Sequence, residues 1–454
     1  MRKSARVVGT TLALVLLVVV TVAVRPASAT GAASDATAAA APAAGVVGAA
    51  TATRAAQPAN PLPIVFVHGY LGSGAQYRSQ AMRFDSNGYP ADRIRAFDYS
   101  SDASGLDDFI DAVRAEFGVS KVRVAAHSLG TVVMLGYLLN PFQAAKVEKY
   151  VALDGASPIC IWGTQCTSIT AAELGQTHIE ASLSPESFAR QYQFFTGQAP
   201  RTTNITTQTG SIQIAGRALN FHVNTPATGA TGQLWPIDPA TGHRTTSSPV
   251  ATFTIGADGN FGPLTVTSGQ SYELALQRSG TGVMHYYFQP FTHSTYLLRL
   301  QVPEAGSDEF TNTNVGPGHA AAVVLRYREW WRASSHGNRL DNLLIGTTGP
   351  GGSQPPIDVL RRVTADVAGI HVHDDTASPR QSSLDPLSYF SSQPFQTGVD
   401  VYMPGSNPAT GTITFANDPR GDATRRQVIN TPNWASLVGT TRHGMLVEFN
   451  DYVQ

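Results

Sequence analysis

A serine hydroxyl attacks a carbonyl at neutral pH only when a neighbouring base takes its proton and an acid orients that base. The stretch Val122–Gly136, VRVAAHSLGTVVMLG, offers such a serine. Val122–Ala126 reads as a buried strand of β-branched and small residues, and a run with helical spacing follows Gly130. Ser128 falls at the sharp turn between them, with Ala126 two places before it and Gly130 two places after. Small residues suit both places, because the turn brings strand and helix backbones into contact. Such a turn lifts the hydroxyl out of the sheet and aims the next backbone N–H, that of Leu129, at the place where an oxyanion forms. Ala126 departs from the usual G-x-S-x-G pattern by a single methyl group.

The other members of a relay follow in chain order. Lys149–Leu153 reads as the next buried strand and ends in Asp154-Gly155, one strand beyond the serine. His178 lies in a loop just before Ser184-Pro185, which reads as a helix start with Ser184 as N-cap. Ser128, Asp154 and His178 are therefore the expected nucleophile, acid and base. Asp98, at the end of an earlier strand, and Glu173, five residues before His178, are the rival acids. A second oxyanion donor is expected from Tyr70, in the glycine-rich turn His68–Gly74 after the strand Pro63–Val67. His68 precedes that turn and reads as structural.

Two other clusters have the residue types of a metal site. Asp107, Asp108 and Asp111 open a helical pattern, where acids complement the helix dipole, and a solvated helix start explains them. His371, His373, Asp374 and Asp375 read as exposed polar residues at a strand end. No metal and no other cofactor is expected.

Strands and helical runs alternate from residue 61 to about 200, which implies a parallel sheet with helices on both faces and a site at the strands' C-terminal ends. Leu106–Phe117 is one helix of that series, and Asn140-Pro141 stops the helix after the serine at Leu139. An apolar insertion at 156–176 carries Ile159, Ile161, Trp162 and Ile169 and is expected as a small lid. After Pro200, short alternating runs such as Ala218–Val223, Gly232–Pro236 and Tyr272–Leu276 are separated by turn residues. We expect a β-sandwich at 201–280 and a second β-rich domain at 281–454. The fold class is thus α/β, a catalytic domain followed by an all-β, sandwich- or barrel-like region. Trp330-Trp331 is expected in a core or interface.

Charge is nearly balanced, 31 basic residues against 32 acidic, so nothing points to nucleic acid or an anionic membrane. Arg2, Lys3 and Arg6 precede the apolar run Val7–Val24, closed by Ala27-Ser28-Ala29. This reads as a secretory signal at 1–29 cleaved after Ala29, with an uncleaved anchor as the alternative. Residues 30–60, rich in Ala, Thr, Gly and Ser, read as a linker. The chain has two cysteines, Cys160 and Cys166, and in an exported protein they are expected to pair.

The segments HGYLGSGAQYRSQAMRFDSNGYP, AHSLGT, VALDGASP and THIEASLSPESFARQYQFFTGQAP, in this order, resemble the two-domain lipase/carboxylesterase family, an α/β-hydrolase domain with a C-terminal β-rich domain, as in an archaeal lipase. ADGNFGP, HYYFQPF, REWWR, FQTGVDVYMPGS and TPNW continue the likeness through the second half. The resemblance implies the same Ser128, Asp154, His178 set with Tyr70 and Leu129 as oxyanion donors. It also implies that the C-terminal half binds long acyl chains at the mouth of the site. The expected function is a secreted serine hydrolase of carboxylic esters, acylglycerols among them, acting alone or at a lipid–water interface without a stable protein partner. A polyester depolymerase or acyltransferase with the same residues, or an inert extracellular binding protein, is the alternative.

Overall fold

The structure, a computed structural model, describes residues 61–278, 282–303, 317–349, 352–375, 379–390 and 394–452. The expected signal at 1–29 and linker at 30–60 lie outside the described residues. The described residues belong to one compact unit.

Its first part is a five-stranded sheet in the order β2-β1-β3-β4-β5, formed by β1 (Ile64–Val67), β2 (Ile94–Phe97), β3 (Val122–His127), β4 (Val147–Leu153) and β5 (Gln165–Ile169). All four pairings are parallel. β1 is wholly apolar and buried, and β3 and β4 are buried along most of their length, because both faces of the inner sheet are covered. The edge strand β5 is polar and largely accessible. Val65, Val67 and Val124 pack on one side with Ile110, Val113 and Met134. Ile64, Phe66, Ala125 and Val151 pack on the other with Phe84, Phe188 and Tyr192.

The helices are α1 (Arg78–Ser86), α2 (Leu106–Phe117), α3 (Leu129–Leu139), α4 (Pro141–Ala144), α5 (Ala171–Leu174), α6 (Glu180–Leu183) and α7 (Pro185–Thr196). Local chemistry sets their ends. Gly118 closes α2 at φ 62°, and the Ser184 hydroxyl accepts the Ser187 N–H to open α7. α1 has no apolar stripe to announce it, since Arg78, Ser79, Gln80 and Arg83 are all buried. Their partners come from far along the chain: Arg78 pairs with Glu448 at 2.6 Å and Ser79 donates to Asp451.

Residues 156–176, expected as a lid, divide into three. An exposed loop carries Ile159, Ile161 and Trp162 and is closed by the Cys160–Cys166 disulfide. β5 then joins the sheet edge, and the one-turn helix α5 follows. Cys166 itself lies on β5, so the disulfide ties the loop to the sheet.

The second part adds β6 (Ser211–Phe221), β7 (Thr231–Pro236), β8 (Ala251–Thr254), β9 (Asn260–Thr267), β10 (Tyr272–Arg278), β11 (Gly282–Phe288), β12 (Thr295–Pro303) and β13 (Ala322–Trp330). It ends with β14 (Asn342–Thr348), β15 (Gln354–Asp358), β16 (Val367–His373), β17 (Gln396–Asp400), β18 (Thr412–Asp418), β19 (Gln427–Pro432), β20 (Leu437–Val438) and β21 (Thr441–Glu448). A nine-stranded sheet runs β17-β16-β13-β21-β11-β10-β7-β8, with β20 paired to β21. Strands from both sides of residue 280 share it. Smaller sheets, β12-β6-β9 and β15-β14-β18-β19, cover its two faces. Alternation along each strand makes this layering: Tyr286, Val323 and Leu446 point to one core, Tyr287, Val324 and Val447 to the other. The architecture is the expected one, a parallel α/β sheet followed by a β-rich region.

One expectation fails here. His371 and His373 are not exposed; both are buried in β16, because that strand lies inside the large sheet between β13 and β17. His371 stacks on Phe390 with ring centres 3.9 Å apart. Among the described residues no three His, Cys, Asp or Glu side chains are grouped to hold a metal ion. Trp330 and Trp331 are buried, the second beneath the Arg420 guanidinium. No helix among the described residues is long and apolar enough to cross a membrane.

Candidate active site

β3 ends at His127, and Ser128 turns the chain into α3 with φ 53° and ψ −120°, a conformation that non-glycine residues adopt only under constraint. The constraint is visible on all sides. The Ser128 N–H donates to Leu153 O at 3.1 Å, and the Thr131 hydroxyl donates to Ser128 O at 2.6 Å. The same hydroxyl accepts the Ala156 N–H, so the turn is fastened to the loop after Asp154. A Cβ at Gly130 would lie 2.6 Å from the Val67 and His68 carbonyl oxygens, and one at Gly69 would lie 2.9 Å from the Ser128 Cβ. Glycine at 69 and 130 is what lets the β1 loop and the serine turn touch.

Ser128, His178 and Asp154 are in one line of hydrogen bonds. The Ser128 hydroxyl lies 2.9 Å from His178 Nε2, and His178 Nδ1 lies 2.6 Å from Asp154 Oδ2. Asp154 Oδ1 accepts the Ala171 N–H at 2.8 Å. Burial opposes charge on Asp154, but the bonds from His178 and Ala171 outweigh it and hold the carboxyl below its usual range. An ionised Asp154 accepts from Nδ1–H and so leaves Nε2 with its lone pair toward the serine, the tautomer a base requires.

The rival acids are elsewhere. Asp98 is buried between Arg217 and Arg299, at 2.7 and 2.9 Å, and accepts the Gly74 N–H. Glu173 is exposed and forms a capping box with Thr170. Asp107 and Asp111 share Lys146, each at 2.7 Å, while Asp107 also accepts the Tyr137 hydroxyl and Asp111 pairs with Arg114.

Tyr70 and the glycines around it border the cleft that Ser128 and His178 enter. Buried His68 accepts the Tyr99 N–H at Nε2 and donates from Nδ1 to Gly69 O at 2.7 Å. In a trans peptide the N–H lies opposite the carbonyl, so this bond turns the Tyr70 N–H away from His68. Leu129 is the first residue of α3, and its N–H has no partner within the helix.

Three supporting residues carry no sequence signal that was recognised. His127, next to the serine, donates from Nε2 to the His178 carbonyl at 3.0 Å and accepts at Nδ1 from Gln76 at 2.9 Å. Gln76 also donates to Ser182, whose hydroxyl caps the Ile179 carbonyl. Burial keeps His127 neutral, its pKa pushed down to about 3, and a neutral ring fits one donor and one acceptor bond. Thr131 is the third, through the turn described above. Adjacency to Ser128 could have flagged His127; Gln76 is visible only in three dimensions.

The cleft's apolar wall comes from the second part of the chain: Phe221, Val323, Leu325, Tyr327, Leu446 and Phe395. Phe395 stacks on the His178 ring with centres 5.7 Å apart. Residues 156–176 contribute nothing to this lining.

Residues 210–305 match the family model for the lipase C-terminal domain, and a further C-terminal-domain model matches residues 309–453. Among solved structures the chain is similar to lipase BlEst2 of Bacillus licheniformis. The mature form is 21% identical over 36% of this chain and 69% of that one, with a TM-score of 0.20. The propeptide form is 10% identical over 83% and 94%, with a TM-score of 0.23. An extracellular alpha/beta-hydrolase from a Paenibacillus species is 15% identical over 22% of this chain, with a TM-score of 0.17, and 43% of its own length is spanned. The chain thus joins a parallel α/β sheet, with a serine turn after β3, to a β-rich second half of which residues 210–305 are similar to a lipase C-terminal domain.

Proposed function

We propose that the protein hydrolyses carboxylic esters, acylglycerols among them, through an acyl-enzyme on Ser128. The observation that carries this reading is the unbroken bond line Ser128–His178–Asp154 at 2.9 and 2.6 Å. His178 Nε2 takes the Ser128 proton as Oγ bonds to the acyl carbon. The oxyanion is held by the Leu129 and Tyr70 N–H groups. His178 then passes the proton to the departing alcohol, and water attacks the acyl-enzyme with His178 again as base, releasing the acid and restoring Ser128. The apolar wall supports an acyl chain as the substrate's larger part, and the lipase C-terminal domain match supports a lipid ester. The motif likeness to the two-domain lipase/carboxylesterase family supports the same residues in the same roles. The basic, apolar and A-S-A sequence at 1–29, with the disulfide, supports export.

An active-site phosphonate, followed by peptide mapping, tests the reading: we expect one label, on Ser128. Rates on p-nitrophenyl esters from two to sixteen carbons then define the chain length. No label on Ser128, and no hydrolysis of any ester, refutes it.

A further inference from the structure

The base of the relay sits on a loop, and a loop must be held. His178 lies between β5 and α7, flanked by Thr177, Ile179 and Glu180, and the main fastening of these flanks comes from 150 residues away. Glu329, near the end of β13, is buried. Its Oε1 accepts the Ile179 N–H at 2.7 Å, while Oε2 accepts the Thr177 hydroxyl at 2.7 Å and the Glu180 N–H at 3.0 Å. One carboxylate thus grips the chain on both sides of the imidazole. Three donors aimed at two oxygens need an acceptor-only group, which an ionised carboxylate is and an amide is not.

The grip is continuous with the substrate wall. Val323, Leu325 and Tyr327 line the cleft from β13, and Glu329 follows two places on, within the register irregularity between Leu325 and Trp330. Next to Glu329, Arg328 pairs with Glu180 at 2.7 Å, and Arg420 reaches the same carboxylate at 3.3 Å. The second part of the chain therefore presses on the His178 loop through charged, desolvated contacts and not merely through apolar packing.

We infer that Glu329 is a positioning residue for the reaction, holding His178 Nε2 in register with the Ser128 hydroxyl, so that the β-rich half is needed for catalysis itself as well as for binding the acyl chain. This rests on the ester-hydrolase reading above. A base displaced by about 1 Å loses about a hundredfold in rate, and the loss falls on kcat because Glu329 is not itself among the residues that line the cleft.

The test uses the full chain with a soluble ester, p-nitrophenyl butyrate, and the E329Q, E329D and I345A variants. E329Q keeps the volume but leaves one acceptor oxygen and sets an NH2 against an N–H. It is expected to lose ten- to a hundredfold in kcat with KM within about twofold. E329D keeps the charge with its oxygens drawn back, and its kcat is expected between those of E329Q and wild type. I345A, in the core away from the cleft, controls for plain loss of stability and is expected to keep kcat at a lowered thermal midpoint. Wild-type kcat in E329Q overturns the inference, and so does a matching fall in I345A at equal loss of midpoint. If E329Q does not fold, E329D decides, and an unchanged kcat there overturns it. S128A and H178A in the same assay separate the two failures: turnover surviving in them sinks the ester-hydrolase reading, whereas turnover lost in them but kept in E329Q sinks only the clamp.

Discussion

Replacing Asp154 by Asn tests the relay with almost no change in shape. The two carboxylate oxygens are both in use, one on His178 Nδ1 at 2.6 Å and one on the Ala171 N–H at 2.8 Å. An amide has a single acceptor oxygen. If that oxygen stays on Ala171, the NH2 faces Nδ1, and the imidazole must carry its proton on Nε2, facing the serine. The base is then absent in the resting enzyme. If the amide turns over, two N–H donors meet at Ala171, which costs about 1–3 kcal/mol for the unmet group, and no negative charge remains to stabilise the imidazolium. Both arrangements predict a loss of about 10⁴-fold in kcat, equivalent to about 5.5 kcal/mol of barrier. The assay is steady-state hydrolysis of p-nitrophenyl butyrate, with the thermal midpoint measured alongside. A D154N enzyme within tenfold of wild-type kcat would refute the assignment of the acid.

His127→Ala removes the donor to the His178 carbonyl and leaves Gln76 short of one partner. A stability loss of about 1–3 kcal/mol and a lower kcat at near-normal KM are expected from denaturation and steady-state kinetics. Asp98 governs acid stability. Burial opposes its charge, but Arg299 and Arg217 outweigh this and hold the carboxyl far below the usual range. Its contribution is complete above the unfolded pKa of about 4 and is lost as pH falls below that toward the depressed folded value. The wild-type denaturation midpoint should therefore drop more steeply from pH 4 to pH 2 than that of D98N. D98N itself should be less stable at pH 7 by about 3–5 kcal/mol, because buried Arg299 and half-buried Arg217 lose their counter-charge. Reducing the Cys160–Cys166 bond opens a loop of six-residue separation. Chain entropy sets the stability cost at about 2 kcal/mol, and kcat should be unchanged because that loop does not line the cleft.

The hydrogen-bonded line Ser128–His178–Asp154 was legible in the sequence because each member sits next to a locally encoded element. Val122–Ala126 is a strand by composition, Gly130 marks the turn, Lys149–Leu153 delivers Asp154, and Ser184-Pro185 announces the helix after His178. Chain order and the topology of parallel sheets then bring their ends to one edge. α2 and the start of α7 were equally plain, since an apolar stripe and a capping serine act within one turn of helix.

What surrounds the relay was decided by tertiary structure. α1 is polar because it packs against Glu448 and Asp451, and no window of its own sequence contains that information. Buried His371 reads as a polar strand end until β13 and β17 are known to lie on either side. Glu329 looks like one charge among the aromatics of REWWR, yet it meets the Thr177, Ile179 and Glu180 donors across 150 residues. Local sequence sets backbone shape within a few residues, so it could announce the turn that lifts Ser128. The partners of a buried charge depend on which distant segments fold against it, and only the assembled chain selects them.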